Sequence, residues 1–324
     1  NPVTRHLLHN HTTVSEHQAH KLQKQGHGYT IEARPPQDTD LPTTLQQFLK
    51  GIRELQTDWF GLKNASPITA FEIRRQNPEK LRFQYTAPTK RLERKIRLHL
   101  TNQIPEIELV EGTNGLPIQP GETIGGGFLT NGRSDYHPFQ YEHQNPPNNS
   151  LAATLHRHAM QDTKIIIQIL FQPVIGHSLK NWWWRKSAYR HRNYLNKEKE
   201  QFWGTTKPTP REKKQAREID NKTGETRFKT SLRLLTINAG QHTPSRLKEL
   251  AGAFNTYENP ETGQYFDLIT INRLREKRIL NFAETIAHRQ FGNWIHGFQL
   301  STKELAALLT LPQPQQNNIQ PAQP

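Results

Sequence analysis

The 324-residue sequence has no cysteine and one methionine, and only 33% of its residues are hydrophobic. Without cysteine the chain has no disulfide, thiol nucleophile, thiolate zinc site or iron–sulfur cluster, so a metal site would have to use histidine and carboxylate. The mean hydropathy of −0.86 predicts a small core flanked by polar segments, with at least one poorly ordered end.

Long apolar runs and nucleotide-binding motifs are also missing. The longest apolar run, Ile165 to Ile175, is interrupted by two glutamines and a proline and is too short and too polar to span a bilayer. No Gly-Lys-Ser/Thr follows the glycines at 125–127, which therefore predict a turn or bulge and no Walker A loop. The carboxylates show no paired or metal-ligand spacing. We therefore expect no cofactor, no metal and no catalysis by this chain alone.

Acidic residues are comparatively few. There are 29 Asp and Glu against 43 Lys and Arg, a formal charge of +14, and the isoelectric point is about 9.9. Such an excess favours an anionic partner, either nucleic acid or a lipid headgroup surface.

The first part of the chain divides into an arm and a compact unit. Residues 1–27, rich in histidine and glutamine, predict a mobile arm or a poorly anchored helix. Residues 28–111 have the order β-α-β-β-α-β, which predicts a ferredoxin-like domain, a four-stranded sheet with two helices on one face. Its inward positions are Tyr29, Ile31 and Ala33; Leu45, Phe48, Leu49, Ile52 and Leu55; Phe71 and Ile73; Leu81, Phe83 and Tyr85; Leu92, Ile96, Leu100 and Ile104; and Ile107 and Leu109.

The rest of the chain predicts a second, decorated unit. Residues 112–150 are interpreted as a loop-rich linker, 151–311 as a second α+β, ferredoxin-like domain with a basic helical insertion at 178–224, and 312–324 as a Pro/Gln-rich extended tail. Within this domain, strands are predicted at 165–171, 228–237 and 266–271, and a helix from Pro244. Ser301 and Glu304 have the spacing of a helix-capping box.

The insertion concentrates the charge, with sixteen Lys and Arg and six Asp and Glu between Lys180 and Arg233. Aromatic residues, including Trp182, Phe202 and Trp203, are interleaved with the cations, and rings beside cations are typical of a single-strand platform. The alternative is a surface helical hairpin whose tryptophans pack on the sheet. The candidate nucleic-acid-binding residues are Trp183, Trp184, Arg185, Lys186, Arg190, Arg192, Lys197, Arg211, Lys213, Lys214 and Arg217.

An enzymatic alternative is a relaxase-like nickase. It would use His156 and His158 as metal ligands and Tyr189 as the nucleophile. Against it, the middle residue of the pair is Arg157, and the apolar spacing around it predicts a helix where this chemistry needs a strand.

Several segments together resemble the N-terminal, non-motor region of conjugative-transfer ATPases, the type IV secretion VirB/VirD and TraC/TraG group of archaea and bacteria. Gln172 departs from that pattern, because arginine is usual there. The segments, in the family's order, are Ile68–Ile73, Leu81–Tyr85, the helix after Pro88, Gln103–Glu108, Asp135–Phe139, Ile169–Val174 and Leu300–Leu308.

The resemblance implies a non-catalytic module that docks a hexameric P-loop motor to a membrane channel or to DNA. ATP would be bound by that motor, in the same polypeptide or in a separate subunit. We therefore expect a homo-oligomer with DNA or an anionic membrane surface as partner, in the cytoplasm or at the inner face of the membrane. A nucleic-acid-binding structural or packaging protein of a virus or mobile element remains the alternative.

Overall fold

A computed structural model describes most of the chain. It covers residues 10–24, 26, 28–37, 40–157, 161–197, 199–201, 204–272, 277–293, 295, 297–314 and 318–322.

The described strands are β1 (Thr12–Thr13), β2 (Tyr29–Arg34), β3 (Thr57–Asp58), β4 (Lys63–Asn64), β5 (Thr69–Asn77), β6 (Lys80–Ala87), β7 (Glu108–Glu111), β8 (Thr123–Asn131), β9 (Lys164–Pro173), β10 (Lys199–Gln201), β11 (Gly204–Thr206), β12 (Arg227–Ile237), β13 (Phe266–Thr270) and β14 (Phe298–Ser301). The α-helices are α1 (Glu16–Lys24), α2 (Gln46–Ile52), α3 (Lys90–Gln103), α4 (Asn148–Arg157), α5 (Leu179–Asn196), α6 (Pro210–Gly224), α7 (Thr243–Gly252), α8 (Lys277–Ala287) and α9 (Thr302–Leu308).

Ten of these strands form one antiparallel sheet, in a mixed α/β fold. The sheet order is β1-β8-β12-β9-β5-β6-β2-β7, with β13 also on β8 and β14 also on β12. The halves of the chain meet at β5 and β9, where Thr69 lies opposite Phe171 and Arg75 opposite Ile165. Pairs β3–β4 and β10–β11 are separate two-stranded ribbons.

The two faces of the sheet are covered unequally. One face carries the main core, in which apolar side chains of α2, α3, α4, α7 and α9 pack on β5, β6, β9 and β12. The opposite face has a smaller core under α1 and α8, which includes Leu22, Ile166, Leu235 and Phe282. Strand alternation separates the two sets, since Ile167 and Ile169 belong to the first core and Ile166 to the second.

A buried polar network lies on the second face, where the two halves join. Glu72 of β5 accepts hydrogen bonds from Arg289 Nε at 2.7 Å, Arg74 Nε at 2.8 Å and Gln168 Nε2 at 2.9 Å. Burial disfavours the Glu72 carboxylate, but the charges of Arg289 and Arg74 outweigh it and hold its pKa well below the usual range. Arg233, also fully buried, donates to Gln168 Oε1, and burial lowers its pKa to about 9.

Most elements predicted for residues 28–111 are confirmed. The strand at Ile31, the hairpin β5–β6 turning at Asn77 and the helix through Leu92 and Ile96 all form where the periodicity places them. Two inward positions are wrong. Tyr29, at the start of β2, is 45% exposed, and α2 ends at Ile52, so Leu55 leaves the apolar face and is 49% exposed.

The segment 112–150, predicted as a loop-rich linker, contains strand β8 inside the sheet. The glycines at 125–127 form its middle and make no turn. A Cβ atom on Gly126 would lie 2.7 Å from the carbonyl oxygen of Leu234, and one on Gly127 would lie 2.7 Å from that of Ile269. Because glycine has no Cβ atom, the neighbouring strands β12 and β13 can approach β8 closely on both sides.

The predicted arm and tail are both packed against the sheet where they are described. In α1, Ala19 and Leu22 are buried, and Lys21 pairs with Glu284 of α8 at 2.7 Å. At the other end, the carbonyl of Asn318 accepts from the amide of Leu81 at 2.8 Å. Residues 1–9, 25, 27, 315–317 and 323–324 lie outside the described residues.

Candidate nucleic-acid interface

Helices α5 and α6 form a hairpin that contains every candidate binding residue except Lys197, which directly follows α5. Each helix has an N-cap: Ser178 accepts from the amide of Asn181, and Thr209 forms a capping box with Glu212. Where the helices meet, a small apolar cluster holds them together, formed by Ala188, Leu195, Ala216 and Ile219. Ala188 and Leu195 are seven positions apart and Ala216 and Ile219 are three apart, so each pair lies on one face of its helix, and the intervening Arg190 and Arg217 are exposed.

Trp184 is the anchor of the hairpin. Its indole Nε1 donates to Asp135 Oδ1 at 2.6 Å, and the Arg227 guanidinium carbon lies 3.8 Å from the centre of its ring. Asp135 Oδ2 accepts from the amide of Gln299 in β14 at 2.8 Å. Through Asp135, Trp184 thus connects α5 to the loop after β8 and to β14.

Trp182 and Trp183 face solvent. Their side chains are 51% and 56% exposed, and their rings meet edge to face with centroids 4.9 Å apart. Lys186 Nζ lies 4.6 Å and 5.2 Å from the two ring centres. Two accessible rings beside an ammonium group provide a surface on which a base can stack next to its phosphate.

The outward cations fall into two groups. Some have partners: Arg192 pairs with Asp220 at 2.7 Å, Lys214 pairs with Glu261 at 3.0 Å, and Arg211 donates to the carbonyl of Pro260 at 3.0 Å. Others form no ion pair with any residue the structure describes, and their charge is available to a ligand: Arg185, Lys186, Arg190, Lys197, Lys213 and Arg217.

Four rings pack together where the last turns of α5 meet the loop after β8. Tyr136, His137 and His191 have centroids 4.8–5.4 Å apart, and Tyr194 lies 6.2 Å from His191. Burial, with the nearby charge of Arg133, lowers the pKa of His137 to about 4, although its ring shares a hydrogen bond with the Ser134 carbonyl. Burial and Arg133 also lower the pKa of His191.

The predicted capping box at Ser301 is confirmed and does more than cap α9. Glu304 Oε1 also accepts from the amide of Phe139 at 2.8 Å and from Lys222 Nζ at 3.0 Å. Both charged side chains of this Lys222–Glu304 pair are 1% exposed. The pair fixes the end of α6 to the start of α9, as Trp184 fixes α5 to Asp135.

Sequence reasoning missed the fixed partners of the insertion. Asp135 and Tyr136 stand out in the sequence only within a family-like turn, and nothing in it singles out Arg227 or Asp220. A signal was present for Asp135, since an indole N–H that packs against the protein needs an acceptor, and Asp135 is one of only three carboxylates between 112 and 150.

The relaxase-like residues are not brought together by any described contact. His156 lies at the end of α4, as the helix prediction requires, and its Nδ1 lies 3.3 Å from the carbonyl oxygen of Pro78. Tyr189 instead contacts Arg185 and Arg192. His158, Phe202 and Trp203 lie outside the described residues.

Metal clusters and membrane-spanning helices are both missing from the described part of the chain. It holds no group of three or more His, Asp or Glu side chains placed to bind a metal ion. Within it, no helix is both long enough and apolar enough to cross a bilayer.

Comparison with known proteins places the chain in a family without assigning it a function. No curated protein is significantly similar to it. A family model matches residues 4–324, almost the whole sequence. The chain therefore belongs to the family described as "Domain of unknown function (DUF8128)".

Proposed function

We propose that this chain is a non-catalytic module of a conjugation-type DNA-transfer apparatus, which binds single-stranded DNA through the α5–α6 hairpin and docks a P-loop ATPase motor. The observation that carries the proposal is the outward face of the hairpin, where exposed Trp182 and Trp183 lie beside cations that form no ion pair with the described residues. At 1.5 Å per residue, α5 is about 27 Å long, enough to follow several nucleotides.

The rigidity of the hairpin also supports DNA binding. A solvating surface helix needs no fixed orientation, but this hairpin is attached at Trp184 to Asp135 in the loop after β8, and at Lys222 to Glu304 in α9. Fixed attachment holds rings and cations in one geometry, which lowers the entropy cost of binding a strand.

We infer further that each half is a ferredoxin-like unit. In the first half the neighbours run β7-β2-β6-β5, and in the second β13-β8-β12-β9, all antiparallel. Numbered within each half, both orders are 4-1-3-2, and the second half begins at β8 inside the supposed linker. The shared order supports a repeated unit joined edge to edge through β5 and β9.

The assembly that we propose follows from the resemblance to conjugative-transfer ATPases. In it, the module is a homo-oligomer at the cytoplasmic face of a membrane, and the motor that binds ATP belongs to the same polypeptide or to a separate subunit. Hydrolysis is assigned to the motor and to no residue of this chain.

Fluorescence anisotropy with labelled single-stranded and duplex DNA, across a salt series, tests the proposal. We expect tighter binding to single strands. Arg190→Ala with Arg217→Ala should weaken binding and reduce the slope of log affinity against log salt by about 0.7 for each phosphate that the variant no longer neutralises. The matched control is Arg94→Ala with Lys248→Ala, which removes two exposed cations from α3 and α7.

A second variant tests stacking. Trp183→Ala should reduce single-strand affinity, by about 1–3 kcal/mol if one base stacks on this ring, and leave the melting temperature unchanged. Absence of DNA binding by the unaltered chain, or equal effects of the hairpin and control charge variants, would overturn the proposal.

A further inference from the structure

A second exposed aromatic group lies outside the hairpin, on the ribbon β3–β4. Four residues, Trp59 to Leu62, connect the two strands. Three have large apolar side chains that are mostly exposed: Trp59 is 78% exposed, Phe60 105% and Leu62 65%. Soluble surfaces rarely gather such large apolar groups at one projecting point, so this tip calls for a partner.

The backbone of the tip presents these side chains at an energetic cost. Trp59 and Phe60 both have φ near +53°, the left-handed region that bulky side chains seldom adopt, and only the third residue of the turn, Gly61, is suited to it. A polar turn with asparagine or glycine at these positions would avoid that strain. Strained, exposed aromatic residues together are typical of a functional site.

The base of the ribbon, in contrast, is fixed. Asn64 Nδ2 donates to the carbonyl of Pro173 at the end of β9 at 2.7 Å, and Gln172 Nε2 donates to the carbonyl of Ser66 at 2.8 Å. The amide of Ala65 also donates to the carbonyl of Gln56 at 2.9 Å. A ribbon with a fixed base and an apolar tip is suited to insertion into an apolar phase.

We propose that the tip of the β3–β4 ribbon inserts into the headgroup region of an anionic lipid bilayer. Trp59 and Phe60 would occupy the interface, where amphipathic and aromatic rings are favoured, and Lys63 would remain at the level of the phosphates. The chain carries a net charge of +14, which attracts it to an anionic surface. We therefore expect the tip to insert into anionic membranes in preference to neutral ones.

Other occupants fit the tip less well. From 55 to 64 the only charged residues are Asp58 and Lys63, and the groups exposed at the tip are apolar, so the tip offers little to the phosphate backbone of a nucleic acid. A second copy of the chain would gain only on the order of 500 Å² from these side chains, below the roughly 800 Å² per partner of a stable interface. The ribbon proposal is independent of DNA binding by the hairpin.

The absence of cysteine allows a site-specific test. Phe60→Cys, labelled with an environment-sensitive fluorophore, is mixed with phosphatidylcholine vesicles with or without phosphatidylglycerol. We expect a blue shift and increased emission with the anionic vesicles. The control is Leu98→Cys on α3, a leucine that is 58% exposed and should report no change. No shift at position 60, or an equal shift at position 98, would overturn the proposal.

Vesicle flotation provides the second readout. Trp59→Ser with Phe60→Ser should reduce binding to anionic vesicles at least about tenfold, because two inserted rings are removed. Leu98→Ser should leave it unchanged, and neither variant should alter DNA affinity. If DNA affinity falls in parallel, or the variant changes the oligomeric state, the tip contacts DNA or a second copy and the lipid proposal is wrong.

Discussion

Trp184 donates its indole N–H to Oδ1 of Asp135 at 2.6 Å, and this bond joins the first helix of the insertion to the sheet. The other oxygen of Asp135 is occupied by the amide of Gln299, so one carboxylate connects α5, the 131–139 loop and β14. The position of the candidate DNA-binding surface therefore depends on a residue outside that surface.

Replacing Trp184 should separate packing from binding in the insertion. Trp184→Phe removes the N–H donor and leaves Oδ1 of Asp135 with one partner fewer, so we expect the free energy of unfolding to fall by about 1.5–3 kcal/mol. Trp183→Phe, at an exposed position on the same helix, should change it by less than about 0.5 kcal/mol. Denaturant unfolding measures both variants, and equal effects would show that Trp184 is not the anchor.

Glu72 should be the most sensitive carboxylate of the sheet. Glu72→Gln leaves the buried guanidinium groups of Arg74 and Arg289 without their counter-charge, and we expect a loss of about 3–5 kcal/mol. The control is Glu108→Gln, whose ion pair with Arg34 is partly exposed and should contribute at most about 1 kcal/mol. Similar losses in the two variants would contradict the role assigned to the network.

His137 should make stability depend on pH. Its pKa is lowered to about 4 in the folded chain, by burial and by the charges of Arg133, His191 and Lys222, against an ordinary value of 6.5. Between these pH values the unfolded chain binds more protons than the folded chain does. The free energy of unfolding should therefore fall as the pH drops from about 6.5 to about 4, by at most about 3 kcal/mol.

Unfolding free energies measured from pH 7 to pH 4 test this dependence. His137→Asn should reduce the slope, because one of the titrating groups is removed, whereas His242→Asn at an exposed position should retain the original slope. Parallel curves for the unaltered chain and His137→Asn would assign the pH dependence to other groups.

Apolar periodicity was sufficient to predict local elements. The alternation at Phe71 and Ile73 and the helical spacing of Leu92 and Ile96 survive in the structure because each segment has one buried face. Strand β8 was missed because three glycines carry no such pattern, and their role becomes visible only when Leu234 and Phe282 are seen beside them. Packing partners distant in the sequence determine what a glycine does.

The polar interior was equally inaccessible to sequence reasoning. Arg74 and Arg233 occupy strand positions that normally face solvent, and nothing local indicates that Glu72 and Gln168 meet them in the interior. The insertion, in contrast, could be recognised from the sequence, because its composition identifies a charged, aromatic surface. Only the three-dimensional contacts distinguish the fixed Trp184 from the exposed Trp182 and Trp183.

The junction between β5 and β9 also bears on how the chain is made. Glu72 meets Gln168, 96 positions later, and Arg289, 217 positions later. During synthesis from the N-terminus, β5 is therefore an open sheet edge until β9 has been translated, and Glu72 lacks its last cation until α8 follows. Contacts of such long range slow folding and leave a nascent edge open to aggregation. A ribosome stalled after β7 and before β9 would carry the first half of the sheet with its β5 edge unpaired.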